Sequence, residues 1–375
     1  MAELPLKGLR VIELARILAG PWAGQTLADL GAEVIKIESK TGDDTRTWGP
    51  PFINTGDETN AAYYHSCNRG KQSVSLDFKD KNDLLKLKNL IATADILIEN
   101  FKVGGLDKYG LGYKTLLNNH PSLIYCSITG FGQTGPYAKR AGYDFLMQGM
   151  SGLMSITGEP DSQPQKVGVA VTDIFTGLYA VVAIQAALRS RDTTGLGQHI
   201  DLSLLDVATA TTANQAMNYL ATGTPPNRRG NNHPNIVPYC AVSTRDGYII
   251  LAVGNDEQFK NFNKIFNVEW YKNDKFKTNP TRLENRDELL NLIEEKTINF
   301  SSNDLLIECE KYGVPAGPIN TLEDVFNDPQ ILHRGMKINL DGVPSVKNPI
   351  IFSDMEMSYD IPSPNLGDSN KKFLK

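Results

Sequence analysis

The chain has 375 residues, 41% of them hydrophobic and 22% charged, which excludes a disordered protein and leaves room for one large core or two unequal domains. Its formal net charge is −5, and no window gathers Lys and Arg beyond short patches. A nucleic-acid partner is therefore not expected, and any phosphate-bearing ligand must be held by local geometry.

The first ten residues carry no apolar signal core, and no run approaches the roughly 20 apolar residues of a membrane span. The four cysteines, Cys67, Cys126, Cys240 and Cys309, are far apart and form no CxxC pair. The expectation is a cytoplasmic protein with reduced thiols and no membrane partner; a mitochondrial matrix location would require a transit segment that had been removed.

Leu9 to Leu14 is a short apolar run; Gly20-Pro21 punctuates it, Trp22 to Leu30 is compatible with a helix, and Ala32 to Glu38 is a second apolar run. That is a βαβ unit. The order recurs, with strands over Ser73 to Phe78, Ile96 to Glu99 and Leu123 to Ile128 and a helix over Asp80 to Thr93. The stretch from Tyr143 to Gly158 is rich in Gly, Met and small residues, and Asp173 to Arg189 reads as an apolar helix buried on most sides. A strand at Gln198 to Leu202 and a helix to Leu220 follow. The loop-like Thr222 to Asn232 marks a domain boundary, after which Tyr239 to Val253 alternates as a hairpin turning at Asp246-Gly247 and Asp256 to Tyr312 is helical. The fold class is α/β. A Rossmann-like large domain with a parallel sheet spans residues 1–226 and is completed by 336–375; a smaller α+β domain spans 227–327, with 328–335 as the return linker.

The sequence has no GxGxxG after the first strand and no GxxxxGK[ST], HExxH or GxSxG, which removes the usual support for nicotinamide, P-loop, zincin and serine-hydrolase chemistry. Polar residues crowd instead at loop ends, where ligands of parallel sheets bind. Arg16 and Ala19-Gly20-Pro21 lie past the first strand, at a helix start suited either to an anion or to a plain tight turn. Arg46 follows the second strand, and Asn68-Arg69-Gly70-Lys71 precedes the third, so several cations at one sheet edge could hold a diphosphate. Asp173 stands between a small-residue approach and an apolar helix, where pattern alone reads it as an N-cap. The histidines His65, His120, His199 and His333 show no metal-ligand spacing and are read as structural.

Taken in order, LKGLRVIELARILAGPWAGQTLADLGAEVIKIE, GDDTRTWGPPF, NRGKQSVSLD, ILIENFKVGGLDKYGLGY, SITGFGQTGP, RAGYDF, VTDIFTGLYA, RRGNNHPNIVPY and GVPAGPINTLEDVFNDPQ resemble the class III CoA-transferase (CaiB/BaiF) family, which includes formyl-CoA transferases. The likeness covers nearly the whole chain. GDDTRTWGPPF, YCSITGFGQTGP and GVAVTDIFTGLYA are most similar to its succinyl-CoA:glutarate branch. The resemblance implies two subunits threaded through each other as an interlocked homodimer. It makes Asp173 the catalytic aspartate, with coenzyme A as a substrate and no permanently bound cofactor. It matches Leu18, Ala19, Lys40, Asn68, Arg69, Lys71, Asn100, Phe101, Lys108 and Lys139 to CoA-contacting positions, with Arg16 beside them.

The implied reaction moves CoA from an acyl-CoA donor to a small carboxylic acid through an aspartyl anhydride and an aspartyl thioester. The resemblance also places Tyr143 and Asp144 along the acyl site and Gly230, Asn231 and His233 in a shielding loop. A dicarboxylate such as glutarate needs a cation for its distal carboxylate, for which Arg46, Arg140, Arg228, Arg229 and His233 are candidates. Two alternatives remain at this point: an α-methylacyl-CoA racemase, whose motif has His where this chain has Tyr143, and a non-catalytic CoA-binding protein. A phenol with its ordinary pKa is a poor proton shuttle at neutral pH, so Tyr143 argues against racemisation.

Overall fold

The computed structural model describes residues 3–374; the two residues before these and the one after, which the expected large domain includes, lie outside them. The described chain falls into two compact units, one reaching to Met154 and including Lys166–Thr224 and the residues from Pro329 onward, the other made of Ser155–Gln165 and Pro225–Asp328.

In the first unit, β1 (Arg10–Glu13), α1 (Ala19–Asp29) and β2 (Glu33–Glu38) form the βαβ start. A hairpin of β3 (Phe52–Thr55) and β4 (Glu58–Ala61) follows, then α2 (Ala62–His65), β5 (Lys71–Ser75), α3 (Lys81–Ile91), β6 (Ile96–Glu99), α4 (Tyr113–Asn119) and β7 (Ile124–Thr129). Next come α5 (Asp144–Met150), α6 (Val171–Thr194), β8 (His199–Ser203), α7 (Leu204–Ala210) and α8 (Ala213–Thr222). Six strands pair in parallel in the order β5-β2-β1-β6-β7-β8. The chain winds outward on one side of β1 and then on the other, so a crevice opens past the ends of β1 and β6, the switch point where such sheets bind ligands.

Both faces of the sheet are covered, which is why its strands read as apolar runs rather than alternating ones. Val11 packs in the core shared with α1 and α6, and its neighbour Ile12 in the core shared with α3 and α4. Helix α6 crosses α1 closely at Gly177, where an added Cβ would lie 2.7 Å from the Ala19 carbonyl oxygen. At 24 residues, with a mean hydropathy of 1.6 over an 18-residue stretch, α6 is by length and composition long and apolar enough to cross a membrane, contrary to the sequence expectation. Here one stripe of it, including Thr176, Ala180, Ile184 and Ala187, is buried, and Phe175, Leu178, Tyr179 and Val182 on other faces are exposed.

The second unit has a three-stranded antiparallel sheet, β11-β10-β9, from β9 (Tyr239–Thr244), β10 (Gly247–Ala252) and β11 (Ala316–Pro318). Helices α9 (Asp256–Ile265), α10 (Asn279–Glu284), α11 (Arg286–Thr297), α12 (Ser302–Lys311) and α13 (Leu322–Asn327) complete it, around a core that includes Phe259, Phe262 and Ile293. The chain then rejoins the first unit through α14 (Pro329–His333), the β12–β13 hairpin (Lys337–Leu340 with Val343–Val346) and α15 (Asn370–Phe373). Backbone bonds from Gly70 to Ile361, Ser358 to Asp29 and Ser369 to Ser73 tie this tail down.

Several local expectations are corrected. The third parallel strand starts at Lys71, two residues before the expected Ser73, because the pairing Val34↔Lys71 already lies within the ladder. The β9–β10 turn residues are Arg245 and Asp246, since Thr244 pairs with Gly247. Ser155–Gln165, assigned to the large domain, belongs to the second unit, where Arg228 donates to the Glu159, Pro160 and Ser162 carbonyls. The expected return linker belongs to the first unit from Pro329 onward.

Candidate active site

The loop after β1 carries the first wall of the site. Ile17 has φ 72°, a left-handed conformation that costs a β-branched residue on the order of 1–3 kcal/mol. Its neighbours hold it there. The Arg16 N–H donates to Asn100 Oδ1 at 2.9 Å and Asn100 Nδ2 donates back to the Arg16 carbonyl at 2.7 Å, while Ile17 N–H faces the Asp43 carboxylate at 3.3 Å. Leu18 and Ala19 then open α1 with no side-chain cap, leaving the helix start facing the crevice.

A cavity of about 380 Å³ occupies the crevice, lined by Arg16, Leu18, Ala19, Asn100, Phe101 and Lys108 of the expected contacts and by Asp173 and Tyr143. A second cavity of about 500 Å³ shares Arg16, Phe101 and Tyr109 with it and extends past β2 to Lys40, Phe78 and Lys79. Phe78 stacks on Phe101 with centroids 6.1 Å apart, so the second cavity has an aromatic side as well as cations. Lys108 points its ammonium over the Tyr109 ring at 4.8 Å, and Lys40 is exposed and pairs with Asp83 at 3.0 Å.

Asp173 sits in the first turn of α6, not at its cap: the helix begins at Val171, preceded by Ala170. The capping role that pattern assigns to Asp173 is filled from another element. Asp144 Oδ1 accepts the Thr172 N–H at 2.8 Å and the Asp173 N–H at 3.4 Å. Among the described residues no hydrogen-bond donor reaches the Asp173 carboxylate. Burial, and then the charge of Asp144, push it up to about 7. A carboxylate this basic, open to a cavity and unencumbered by donors, is a better nucleophile than an ordinary aspartate.

The structure does not bring every expected residue to this cavity. Arg46 is buried, donates to both Glu38 oxygens at 2.8 and 2.7 Å and to the Tyr64 hydroxyl at 2.7 Å, and offers nothing to a substrate. Asn68, Arg69 and Lys71 are likewise turned inward. Lys71 pairs with Glu13 at 2.8 Å and takes Asn68 Oδ1 at 2.9 Å, and Arg69 forks onto Asp29 at 2.9 and 2.6 Å. These cations neutralise buried carboxylates that would otherwise be intolerable, rather than forming a diphosphate site. Asp144 is buried and does not line the cavity. Lys139 is exposed but off the cavity wall; Arg140 lines it instead, its guanidinium 4.6 Å over Tyr137 and 5.4 Å over Phe131. Tyr143 is 63% exposed, so core packing is not its role.

Gly230, Asn231 and His233 belong to the second unit. There the Gly230 N–H donates to the Gly158 carbonyl at 3.0 Å, Asn231 is exposed, and His233 accepts the Asn235 N–H at 3.1 Å on Nδ1. Burial and then Arg286 lower His233 from its ordinary value, which disfavours the charged form that would hold a carboxylate. Arg228 is committed to three carbonyls, as described above, and Arg229 is exposed.

Sequence reasoning missed Ile17, Lys79, Lys102 and Tyr63. Lys102 lines the first cavity. Burial, followed by the Asp173 charge, pushes the Tyr63 phenol up to about 12, so it stays protonated within electrostatic reach of Asp173. Also unforeseen was the buried network behind the loops. Lys36 bridges Glu13 at 3.0 Å and Asp43 at 2.9 Å, and Asp43, held low at about 2 because Lys36 and Thr45 outweigh its burial, is the residue that receives the Ile17 N–H. The only early signal was the unusual placing of Glu13 and Lys36 inside apolar strands.

A doubly wound sheet with a basic, donor-free carboxylate at its switch point, beside a long cation-lined crevice, is the arrangement of an enzyme that handles an extended anionic ligand. The chain belongs to CoA-transferase family III, whose model matches residues 6–370, and it is a CoA-transferase that uses CoA thioesters as substrates. It is 54% identical over 379 residues to the succinate–glutarate CoA-transferase of Agrobacterium fabrum, with 99% of this chain and 95% of that one covered. The human succinyl-CoA:glutarate CoA-transferase is 44% identical, with 99% and 85% covered. A crystal structure of a CaiB/BaiF family protein from Brucella suis superposes with a TM-score of 0.90 at 57% identity, covering 100% of this chain and 99% of that one.

Proposed function

We propose that the protein moves CoA from succinyl-CoA to a C4 to C6 dicarboxylate such as glutarate, through covalent intermediates on Asp173. The observation that carries the mechanism is the Asp173 carboxylate, raised to about 7 and free of donors, on the wall of a cavity that continues into a second, cation-lined one. The substrate pair is supported by the names of the Agrobacterium and human relatives. The aromatic and cationic second cavity, with Phe78, Phe101, Lys40 and Lys79, suits the nucleotide end of CoA, and Lys102 and Lys108 suit its phosphates.

In the first step an Asp173 oxygen attacks the thioester carbonyl, the C–S bond breaks, and CoA leaves as thiolate, giving a succinyl-aspartyl anhydride. The thiolate then attacks Cγ of Asp173, displacing succinate and leaving an aspartyl-CoA thioester. The acceptor carboxylate attacks the same Cγ and expels the thiolate again, forming a second anhydride. Attack of the thiolate on the acceptor's carbonyl releases the new acyl-CoA and restores the carboxylate. No proton is gained or lost overall, and the activation is conserved because a carboxylate makes anhydrides where a serine would make a stable ester. Nucleotide binding remote from the bond-making keeps the thiolate in place between steps.

A second copy of the chain completes the enzyme in this reading. Support comes from the apolar surface of α6, where Phe175, Leu178, Tyr179 and Val182 are 39–65% exposed within three turns of the nucleophile, an area that a soluble monomer seldom leaves uncovered. The test is incubation with succinyl-CoA and a panel of free acids, with new CoA esters followed by mass spectrometry and Asp173→Ala as control. A glutaryl or related dicarboxylyl ester that the variant fails to make is expected; acceptance of only monocarboxylates or oxalate would overturn the dicarboxylate reading.

A further inference from the structure

A helix that begins with Val171-Thr172-Asp173 has a problem at its N-terminus. Ala170 cannot cap it, and the uncapped first-turn N–H groups, with the positive end of the helix dipole, would pull a carboxylate at Asp173 toward low basicity. The structure resolves this from outside the helix. Asp144, at the start of α5, takes the Thr172 and Asp173 N–H groups with Oδ1. Its other oxygen, Oδ2, accepts Gln148 Nε2 at 2.7 Å. Gln148 is fully buried and uses its carbonyl to hold the Val167 N–H at 2.9 Å, so one Asp–Gln pair four residues apart clamps the whole approach to the nucleophile.

We propose that Asp144, held by Gln148, is a positioning residue for the transfer reaction, fixing from α5 the helix turn that presents Asp173. This rests on Asp173 being the covalent nucleophile. Asp144 touches neither cavity and no reacting atom; its effect is to consume the N–H groups that would otherwise solvate the nucleophile and to set a negative charge beside it. The other groups facing Asp173 oppose or ignore that charge: Tyr63 on α2 remains a neutral phenol, and Arg16, Lys102, Lys108 and Arg140 line the cavity from the loops after β1, β6 and β7. The lone like charge from Asp144 joins burial in keeping Asp173 at about 7.

Two variants separate the clamp from the charge. Asp144→Asn keeps an oxygen for the Thr172 N–H while removing the charge; if Gln148 reverses its amide to meet the new donor, the Val167 N–H loses its acceptor, so the contact to the helix turn survives and the Gln148 side of the clamp is loosened. In wild type, kcat/KM for the acyl-CoA should rise with pH through an inflection near 7, where the Asp173 carboxylate loses its proton. In Asp144→Asn that inflection should fall by about one unit, as removal of a like charge requires. Gln148→Leu keeps the charge and breaks the clamp, so kcat should fall about tenfold at every pH with KM for the acyl-CoA and the inflection unchanged. An Asp144→Asn enzyme that melts like wild type with an unmoved inflection overturns the proposal. Should that variant not fold, Gln148→Leu with wild-type kcat overturns it alone. Wild-type protein that transfers no acyl group at all would instead sink the assignment of Asp173 on which the proposal stands.

Discussion

Replacing Asp173 should make the protein more stable, and by an amount that depends on pH. Asp173 is raised from the ordinary 3.8 to about 7, so the folded state holds its proton more firmly than the unfolded state does. The stabilisation from that proton is complete below about pH 4, declines as pH rises, and is gone above about pH 7, where the ionised carboxylate sits where it is least welcome. Three units at about 1.4 kcal/mol each set a ceiling of about 4 kcal/mol; because Asp173 lies on the wall of an open cavity, where its charge is screened, about 2 kcal/mol is the expected size. Asp173→Asn retains the shape without the charge. Denaturant midpoints of wild type and Asp173→Asn, taken at pH 5 and pH 8, should show the variant gaining on wild type as pH rises, while its transfer activity is lost. A variant that is no more stable at pH 8, or a difference that does not change with pH, would refute the account of Asp173 as a strained, basic nucleophile.

The remaining predictions concern the scaffold and the nucleotide end. Glu13→Gln strands the buried ammonium of Lys71 and leaves that of Lys36 with Asp43 as its carboxylate partner; a loss of about 3–5 kcal/mol in denaturant unfolding is expected, against near neutrality if the pairs were superficial. Gly177→Ala brings a methyl to 2.7 Å from the Ala19 carbonyl and forces α6 away from α1, with an expected cost of about 1–3 kcal/mol and reduced kcat, because α6 carries Asp173 and α1 borders the cavity. Lys108→Ala should raise KM for the acyl-CoA about tenfold with kcat nearly retained, and the effect should shrink in added salt, as a lost phosphate contact would.

The parts of the fold that were legible are those whose physics is local. β1, β2, β6 and β7 are buried on both faces, so their apolar runs stood out; α6 was legible from Asp173 to Arg189, but the helix runs from Val171 to Thr194 and exposes Phe175, Leu178, Tyr179 and Val182, because its ends are polar and its apolar face is covered on one stripe. What stayed hidden depends on partners distant in sequence. Arg46, Arg69 and Lys71 read as a cationic edge because nothing near them in the chain reveals Glu38, Asp29 and Glu13, which lie 8, 40 and 58 residues away and hold them inside. Short charged segments between strands look alike whether they face a ligand or one another, and only the fold decides.

Asp173 shows the same limit at the site itself. By pattern, an aspartate at the mouth of an apolar helix is a cap, and its catalytic assignment came from the family resemblance. The structure supplies the missing physical reason: the cap is Asp144, 28 residues before the Thr172 N–H that it accepts, so the helix no longer needs Asp173 for its own termination. An N-cap donated by a separate element leaves no trace in the local sequence: Asp144 opens its own short helix, α5, within a stretch that reads only as rich in Gly, Met and small residues. The residue that looked substitutable by any good cap is thereby left free of a capping duty, and the residue expected beside the substrate caps the helix turn from behind.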